Sequence, residues 1–311
     1  MPAVPRKRNR TRILLGAIAF LAIACGGVYG RYWYLVGRFI ETAGRPLRLL
    51  AIGWDRTVWL VDERWVFGFP RRAVVAPGIE RELEWLPRLA PRLPAAITVP
   101  HFVGEPDGVF PWPFFGSAFI PGEEAMNVDC GGRVAVDLAE FLRVLHSPQL
   151  AADIGVESLP PDGNNRADMR VRVPYTRERL LELGRLPAAA ERILRDAERL
   201  QPPPKPHTIA HGDLHLRNPL VHAGRLSGVL DWIDVCRGDP SLDLMVLWSL
   251  VPQSARGDFL RAYGDVDEAC LLRARVIALM LGAALALWAR DQRQPQVESA
   301  ALASIDRALR D

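Results

Sequence analysis

The sequence predicts an α+β fold of two lobes, a small antiparallel β-rich N-lobe followed by a larger helical C-lobe. Short β-prone runs crowd between Pro46 and Ile120, helical spacing dominates from Val134 onward, and Pro121-Gly122 breaks the chain where one pattern gives way to the other. With 311 residues, 49% of them hydrophobic and 24% charged, the chain has ample apolar material for one large or two modest cores. Disordered and fibrous classes are excluded.

The N-terminus comes first. Arg6, Lys7, Arg8, Arg10 and Arg12 precede Ile13 to Gly30, eighteen residues without a charge, the lower limit for crossing a bilayer core. Ala22-Ile23-Ala24 before Cys25 also fits the small-residue cleavage pattern of a signal peptide. Arg31, Arg38, Arg45 and Arg48 follow closely, so charge chooses no orientation. The segment reads as a span, a cleaved signal, a helix lying on the membrane, or an extension from an upstream start codon. The chain's formal charge is +3, and without the five basic residues of this segment it is five lower, −2. A mildly acidic body gives no argument for a nucleic-acid partner. Lys7 and Lys205 are the only lysines against 37 arginines, a compositional bias rather than a binding surface. Cys25, Cys130, Cys236 and Cys270 are scattered with no C-x-x-C pair, which argues for neither a zinc site nor a disulfide framework and fits a reducing compartment.

From Pro46, Leu49 to Ile52, Thr57 to Val61 and Arg64 to Phe69 read as a three-strand antiparallel meander split by Gly53-Trp54-Asp55-Arg56 and Asp62-Glu63. Pro77 to Leu89 has helical spacing, and Val99 to Val103 and Phe114 to Ile120 are strand-like. A hinge is expected at Ala118 to Gly122, which divides the chain into residues 1–30, an N-lobe of 31–121 and a C-lobe of 122–311. Helices are expected at Val134 to Leu145, Arg177 to Leu186, Ala188 to Leu200, Leu242 to Leu250, Gly257 to Tyr263, Asp267 to Arg290, and from Val297. Gln201 to Pro206 is a stiff proline connector. Val276 to Ala289 is apolar but short for a span and reads as a core helix.

The chemistry follows the connector. His211-Gly212-Asp213-Leu214-His215-Leu216-Arg217-Asn218 is an H-x-D-x-x-x-x-N loop, and the apolar run Ser227 to Leu230 ends in Asp231-Trp232. Metal-assisted phosphoryl transfer needs this set: one carboxylate to orient an acceptor hydroxyl, and an amide and a second carboxylate to hold Mg²⁺ on the phosphates of ATP. No G-x-x-x-x-G-K-[ST] occurs, so a P-loop is excluded as the source of ATP binding.

Over roughly residues 46 to 305 the sequence resembles the aminoglycoside phosphotransferase family, small-molecule kinases with a protein-kinase-like two-lobe fold. The likeness rests on Gly53-Trp54-Asp55, Arg81-Glu82, His211 to Asn218, Asp231-Trp232 and Gly238-Asp239-Pro240-Ser241-Leu242-Asp243-Leu244. It implies that Asp213 is the catalytic carboxylate, that Asn218 and Asp231 ligate Mg²⁺, and that Gly53, Val66, Glu82, Phe119 and Ile120 contact ATP, Glu82 by pairing with a basic residue on the third strand. The resemblance also implies that Asp243 braces the catalytic loop, and His211 reads as a structural residue bonding backbone beside it.

The third strand departs from this pattern. It reads Trp65-Val66-Phe67-Gly68-Phe69, and alternation places Val66 and Gly68 on the face that the resemblance turns to the nucleotide, with no cation there. Arg56, Arg71 and Arg72 are the replacements within reach. Plainer roles accompany the sharper ones. His215 reads as a residue supporting a metal ligand or as a turn residue, Trp112, Trp232 and Trp248 as core or pocket wall, Cys236 as a small buried apolar residue, and Asp239 as the cap of a helix from Pro240, with Asp234 and Asp239 also able to attract a cationic substrate. The expected activity is ATP- and Mg²⁺-dependent transfer to a hydroxyl of a small molecule, aminoglycoside-like or another antibiotic or metabolite. The rivals are a membrane-tethered nucleotide-binding pseudokinase and a hydroxyacyl thioester or sugar kinase. An ATP-using body is expected in the cytoplasm, tethered to the plasma membrane if residues 13–30 span it.

Overall fold

The computed structural model describes residues 30–39, 41–203 and 208–310. The basic run and the apolar segment as far as Tyr29, with the four readings placed on them, lie outside the described residues, as does the end of the proline connector at 204–207.

The first element among the described residues is helix α1 (30–36), followed by β1 (Leu47–Ile52), β2 (Arg56–Val61), β3 (Trp65–Pro70), α2 (Ala76–Leu89), β4 (Ala96–Ile97), β5 (Phe102–Gly104) and β6 (Phe114–Ala118). It forms two compact units. One holds the described residues up to Ile79 together with Pro100–Phe119, and the other holds Glu80–Val99 and Ile120–Asp311. The division differs from a single cut at residue 121, because most of α2 and all of β4 belong with the helical unit.

The first unit is an antiparallel five-stranded sheet in the order β1-β2-β3-β6-β5. The predicted meander is present. At the β2–β3 turn Asp62 and Glu63 take φ of 55° and 51°, the left-handed pair whose twist matches that of the flanking strands. Phe67 and Phe69 point into one aromatic core with Trp59, Phe102, Phe110 and Phe114, and the alternation leaves Val66 and Gly68 on the opposite face. Leu35 and Val36 of α1 complete this core, and Tyr32 lies 5.2 Å from Trp59 and 4.8 Å from Phe69 between ring centres. Trp112 packs against its margin.

The second unit continues with β7 (Glu123–Glu124), α3 (Gly132–Leu145), α4 (Pro148–Ile154), α5 (Met169–Glu182), α6 (Ala188–Glu198), β8 (Thr208–Ala210), β9 (Pro219–His222), β10 (Arg225–Val229) and β11 (Cys236–Gly238). It closes with α7 (Ser241–Leu244), α8 (Val246–Ser249), α9 (Arg256–Tyr263), α10 (Glu268–Asp291) and α11 (Pro295–Leu309). Its sheets run β4-β10-β9-β7 and β11-β8. Three expectations change. Helix α5 starts at Met169 rather than Arg177, since Pro174 falls inside it and made the preceding stretch read as a break. Helix α4 was not expected, although Ser147 caps it by accepting the Leu150 N–H, Pro148 opens it and left-handed Gly155 ends it. The helix expected over Leu242 to Leu250 is two short ones meeting at Met245. Helix α10 is long and apolar enough to cross a membrane, but 61% of its most apolar window is buried inside this unit, so it is a core helix as the sequence implied.

Candidate active site

Strand β8 feeds the loop His211–Asn218, and the hairpin β9–β10 carries the chain back to Asp231. Ala223 and Gly224 turn the hairpin with φ of 49° and 72°. Its register sets Val229 opposite Pro219, and the next N–H, that of Leu230, donates to the Asn218 carbonyl at 2.9 Å. The hairpin thereby brings the two halves of the motif side by side.

Asn218 is buried, and its Nδ2 donates to the Asp213 carbonyl at 2.7 Å, which leaves the amide oxygen as its acceptor end. The Asp213 carboxylate is partly exposed, with His215 Nε2 at 3.9 Å, while His215 Nδ1 accepts the Arg217 N–H. His215 is thus both a turn residue and a neighbour of the carboxylate. Asp231 is exposed and takes φ of 62°, a left-handed conformation that the short Asp side chain tolerates better than most. An amide oxygen and a carboxylate are hard oxygen donors, few in number, and fit Mg²⁺, which keeps waters and phosphate oxygens in its remaining positions.

The loop is braced from beneath. Asp243 is completely buried; one carboxylate oxygen accepts the Gly212 N–H at 2.9 Å, and the other accepts the His211 N–H at 2.8 Å and faces His146 Nε2 at 3.0 Å. His146 Nδ1 meets the Tyr263 hydroxyl at 2.9 Å. Burial raises the Asp243 carboxyl, but the His146 hydrogen bond, the charge of that ring and the backbone donors outweigh it and hold the group below its ordinary value. His211, also buried, accepts the Asp213 N–H at Nδ1 and donates from Nε2 to the Leu230 carbonyl at 2.9 Å, so it ties the His211–Asn218 loop to the residue before Asp231. These hydrogen bonds are the contacts by which His211 and Asp243 would brace the loop.

Glu82 and Arg81 hold the segment after Asp231. Glu82 is fully buried on the apolar face of α2 with Ile79, Leu86 and Leu89, and its carboxylate accepts the Trp232 N–H at 3.2 Å. Arg81 donates to the Ile233 carbonyl at 2.7 Å. The expected basic partner on the third strand is absent from that strand's sequence, and the contact found is with the backbone beside Asp231. Trp232 is core, its Nε1 bonded to the Val229 carbonyl. Asp239 accepts the Ser241 N–H at 3.0 Å, which fits a helix-start role, and Cys236 is buried with its thiol pushed up by burial. Trp248 is stacked by Arg256 and Arg275, with guanidinium carbons 4.5 and 4.6 Å from the ring centre.

The remaining predicted residues lie apart from this loop in the chain. In the second unit, Ile120 covers Gly228, where an added Cβ would meet its Cγ2 at 2.7 Å. In the first unit, Phe119 is 40% exposed and its N–H donates to the Arg64 carbonyl, while Gly53 opens the β1–β2 turn by donating to the Arg56 carbonyl at 2.8 Å. Val66 pairs with Leu60 and Ser117. Arg71 donates to the Gly53 carbonyl at 2.6 Å and Arg72 bonds the Asp55 carboxylate, so both arginines fasten the turn. Arg56 does something else: its side chain runs across Gly68, with Cδ 3.3 Å and Nη1 3.7 Å from where a Cβ would stand, and its guanidinium carbon is 5.8 Å from the Phe115 ring centre.

A family model for APH, the phosphotransferase enzyme family, matches residues 46–277. The chain belongs to this family. All ten site residues predicted above fall inside the matched span. Among curated relatives, aminoglycoside 3'-phosphotransferases of Escherichia coli and Salmonella typhimurium are 29% and 28% identical over 177 residues, which is 54% of this chain and 60% of theirs. The match thus spans about 60% of the length of those relatives. The fold is that of the GDP and kanamycin complex of APH(2")-IIia, with a TM-score of 0.67 at 19% identity, covering 89% of this chain and 97% of that one. Macrolide 2'-phosphotransferase MphH from Brachybacterium faecium shares the fold, with a TM-score of 0.54 at 24% identity over 83% of this chain and 91% of that one. These structural likenesses bear out the α+β kinase-like fold. The sequence reading missed Arg166, which donates to the Gly212 carbonyl, His146, which faces Asp243, and Tyr263, which meets His146; no local pattern marks any of them.

Proposed function

We propose that this chain is an ATP- and Mg²⁺-dependent phosphotransferase acting on a hydroxyl of a small molecule. The observation that carries the reading is the braced loop, in which Asp213 projects from backbone held by Asp243, His211 and Asn218. In this reading Asp213 accepts the proton of the acceptor hydroxyl as that oxygen bonds the terminal phosphorus. The bond from phosphorus to the bridging oxygen breaks, and the nucleoside diphosphate leaves with the electron pair. Asn218 and Asp231 would hold Mg²⁺, which when bound would neutralise charge on the phosphates. Asp243 and His211 keep the loop rigid, and Glu82 and Arg81 keep the Asp231 segment in place.

The relatives named above support aminoglycosides and macrolides as the first acceptors to try. A second reading, nucleotide binding without turnover, is favoured by one observation, the absence of a basic residue on β3. Arg56 lying over Gly68 supports turnover instead, with Arg56 as the cation for the phosphates of ATP. The test is ADP release from Mg²⁺-ATP by the full chain across kanamycin, a macrolide, sugars and hydroxyacyl compounds, beside Asp213→Ala. Acceptor-dependent release that vanishes in Asp213→Ala is the expected result; release unchanged by that substitution overturns the catalytic assignment. Use of ATP also supports a cytoplasmic body, tethered if residues 13–30 span a membrane. A reporter fused after Asp311 that is active only outside the cytoplasm overturns that placement.

A further inference from the structure

A buried arginine far from the motif grips the peptide bond that leads into Asp213. Residues Pro160 to Asp162 run beside β11: the Arg237 N–H donates to the Pro160 carbonyl at 2.8 Å and the Asp162 N–H to the Arg237 carbonyl at 3.2 Å. Asp162 then organises the next turn, accepting the backbone N–H of Asn164 and of Arg166 and the Arg166 Nε–H at 3.0 Å. This fixes the Arg166 side chain, which is only 10% exposed. Its Nη1 donates to the Gly212 carbonyl, and its Nη2 lies 3.5 Å from the Asp234 carboxylate.

The Gly212 carbonyl and the Asp213 N–H are the two ends of one planar peptide unit. Arg166 holds the first and His211 Nδ1 accepts from the second, so the plane is fixed at both ends. The orientation of that plane sets the direction in which Asp213 leaves the backbone. Gly212 leaves no alternative packing, because its φ is +85° and an added Cβ would stand 2.5 Å from the Asp234 carbonyl oxygen and 3.2 Å from Arg166 Nη2. A hydrogen bond from a charged guanidinium to a carbonyl is stronger than a neutral one, and little water reaches this one to compete with it. The same cation sits among the negative charges of Asp162, Asp234 and Asp213, which together raise its affinity for its proton despite burial.

We propose that Arg166 is a positioning residue for the catalytic carboxylate: it locks the Gly212–Asp213 peptide and so aims Asp213 at the acceptor hydroxyl. The inference rests on the reading of Asp213 as the group that takes the hydroxyl proton. A positioning role lowers turnover without weakening nucleotide binding, since Asn218 and Asp231 are not what Arg166 touches. Geometry rather than charge is the working element, so lysine, a point charge without the planar fork, should not replace it.

The experiment compares Arg166→Gln, Arg166→Lys and Asp213→Ala in the full chain, with kanamycin as probe acceptor, or with basal hydrolysis of Mg²⁺-ATP if kanamycin is not turned over. Thermal unfolding confirms that each variant is folded, and Arg166→Lys serves alone if Arg166→Gln does not fold. Arg166→Lys is expected to lower kcat roughly 10- to 100-fold, the scale of a catalytic group misplaced by about an ångström, with KM for ATP within about twofold of the parent. Full kcat in Arg166→Lys means that only the charge matters and overturns the proposal. A rise in KM for ATP matching the loss of kcat marks a general structural role and also overturns it. If Asp213→Ala itself is fully active, the failure lies in the catalytic reading and not in the role of Arg166 alone.

Discussion

The catalytic loop of the helical unit and the third strand of the small sheet treat charge in opposite ways. Around the loop, ionisable groups are buried and bonded several times over: Asp243 accepts two backbone N–H groups and faces His146, Arg166 holds Asp162 and a carbonyl, and Glu82 accepts a backbone N–H with no surface exposed. Around the strand, Arg71 and Arg72 are exposed and Arg56 is half-buried; a carbonyl holds Arg71, a partly exposed carboxylate holds Arg72, and Arg56 lies against the Phe115 ring. Buried groups bonded this often cannot move singly, because an orphaned polar atom there has no water to turn to. Exposed cations lose little when replaced, since each contact is small and water stands in for it. Substitution is therefore expected to cost more in the loop than at the exposed cations of the sheet.

The comparison breaks first at Asp213. Replacement by Ala should lower turnover roughly 10²- to 10⁴-fold, the usual contribution of a positioned general base, while Mg²⁺-ATP binding by titration stays near the parent value. Comparable loss of nucleotide binding would place Asp213 among the metal ligands instead.

The next largest effect is expected at Asp243. Asp243→Ala strips two backbone donors and His146 of their buried partner, and should destabilise the chain by roughly 3 to 5 kcal/mol in denaturant unfolding. The pH dependence follows from the sign of the shift. A carboxyl held below its ordinary value contributes stability that is present above about pH 4 and is lost as pH falls through its lowered value. Asp243→Asn should therefore flatten the acid limb of the stability profile below about pH 4. An identical limb in parent and variant would show that other carboxylates govern acid unfolding.

Much of the site was legible because its residues are close in sequence. His211, Asp213 and Asn218 share one loop, a short hairpin returns the chain to Asp231, and Asp243 follows in a recognisable segment. The supports were not legible because they arrive from elsewhere: His146 stands at the end of α3, Tyr263 at the end of α9, and Arg166 in a loop before α5. No periodicity marks a residue whose role is to hydrogen-bond a distant carbonyl. The fold followed the same rule. The meander showed in alternation and turn residues, whereas the two-residue strands β4 and β7 exist only through pairing with β10 and β9. Helix α5 was truncated in the reading because a proline's local penalty was outweighed by packing of Val173, Thr176 and Leu180.

The comparison sharpens at Arg56 and Gly68. If Arg56 supplies the cation for the phosphates, Arg56→Ala should raise KM for ATP on the order of tenfold to a hundredfold, the range of a charge-assisted contact of about 1.5 to 3 kcal/mol. Gly68→Arg in the parent should crowd Arg56, whose Cδ stands 3.3 Å from the new Cβ. The same substitution in the Arg56→Ala background meets open space and should recover most of the lost affinity. An unaffected KM in Arg56→Ala would remove Arg56 from the nucleotide site and leave the second reading, binding without turnover, in the stronger position.

The smallest effects are expected at Arg71 and Arg72. Both fasten the β1–β2 turn rather than presenting charge outward, Arg71 through the Gly53 carbonyl and Arg72 through Asp55 with its guanidinium carbon 5.8 Å from the Trp54 ring centre. The Arg72–Asp55 pair is 47% and 34% exposed, so water and salt screen it, and such pairs contribute about 1 kcal/mol or less. Arg71→Ala and Arg72→Ala should each change KM for ATP less than about threefold, and raising the salt concentration should erase the difference for Arg72→Ala first, because its bond is ionic at both ends whereas Arg71 bonds a neutral carbonyl. A tenfold loss in either variant that survives high salt would mean that the turn itself shapes the nucleotide site through Gly53, and that surface position alone does not make a cation in this sheet replaceable.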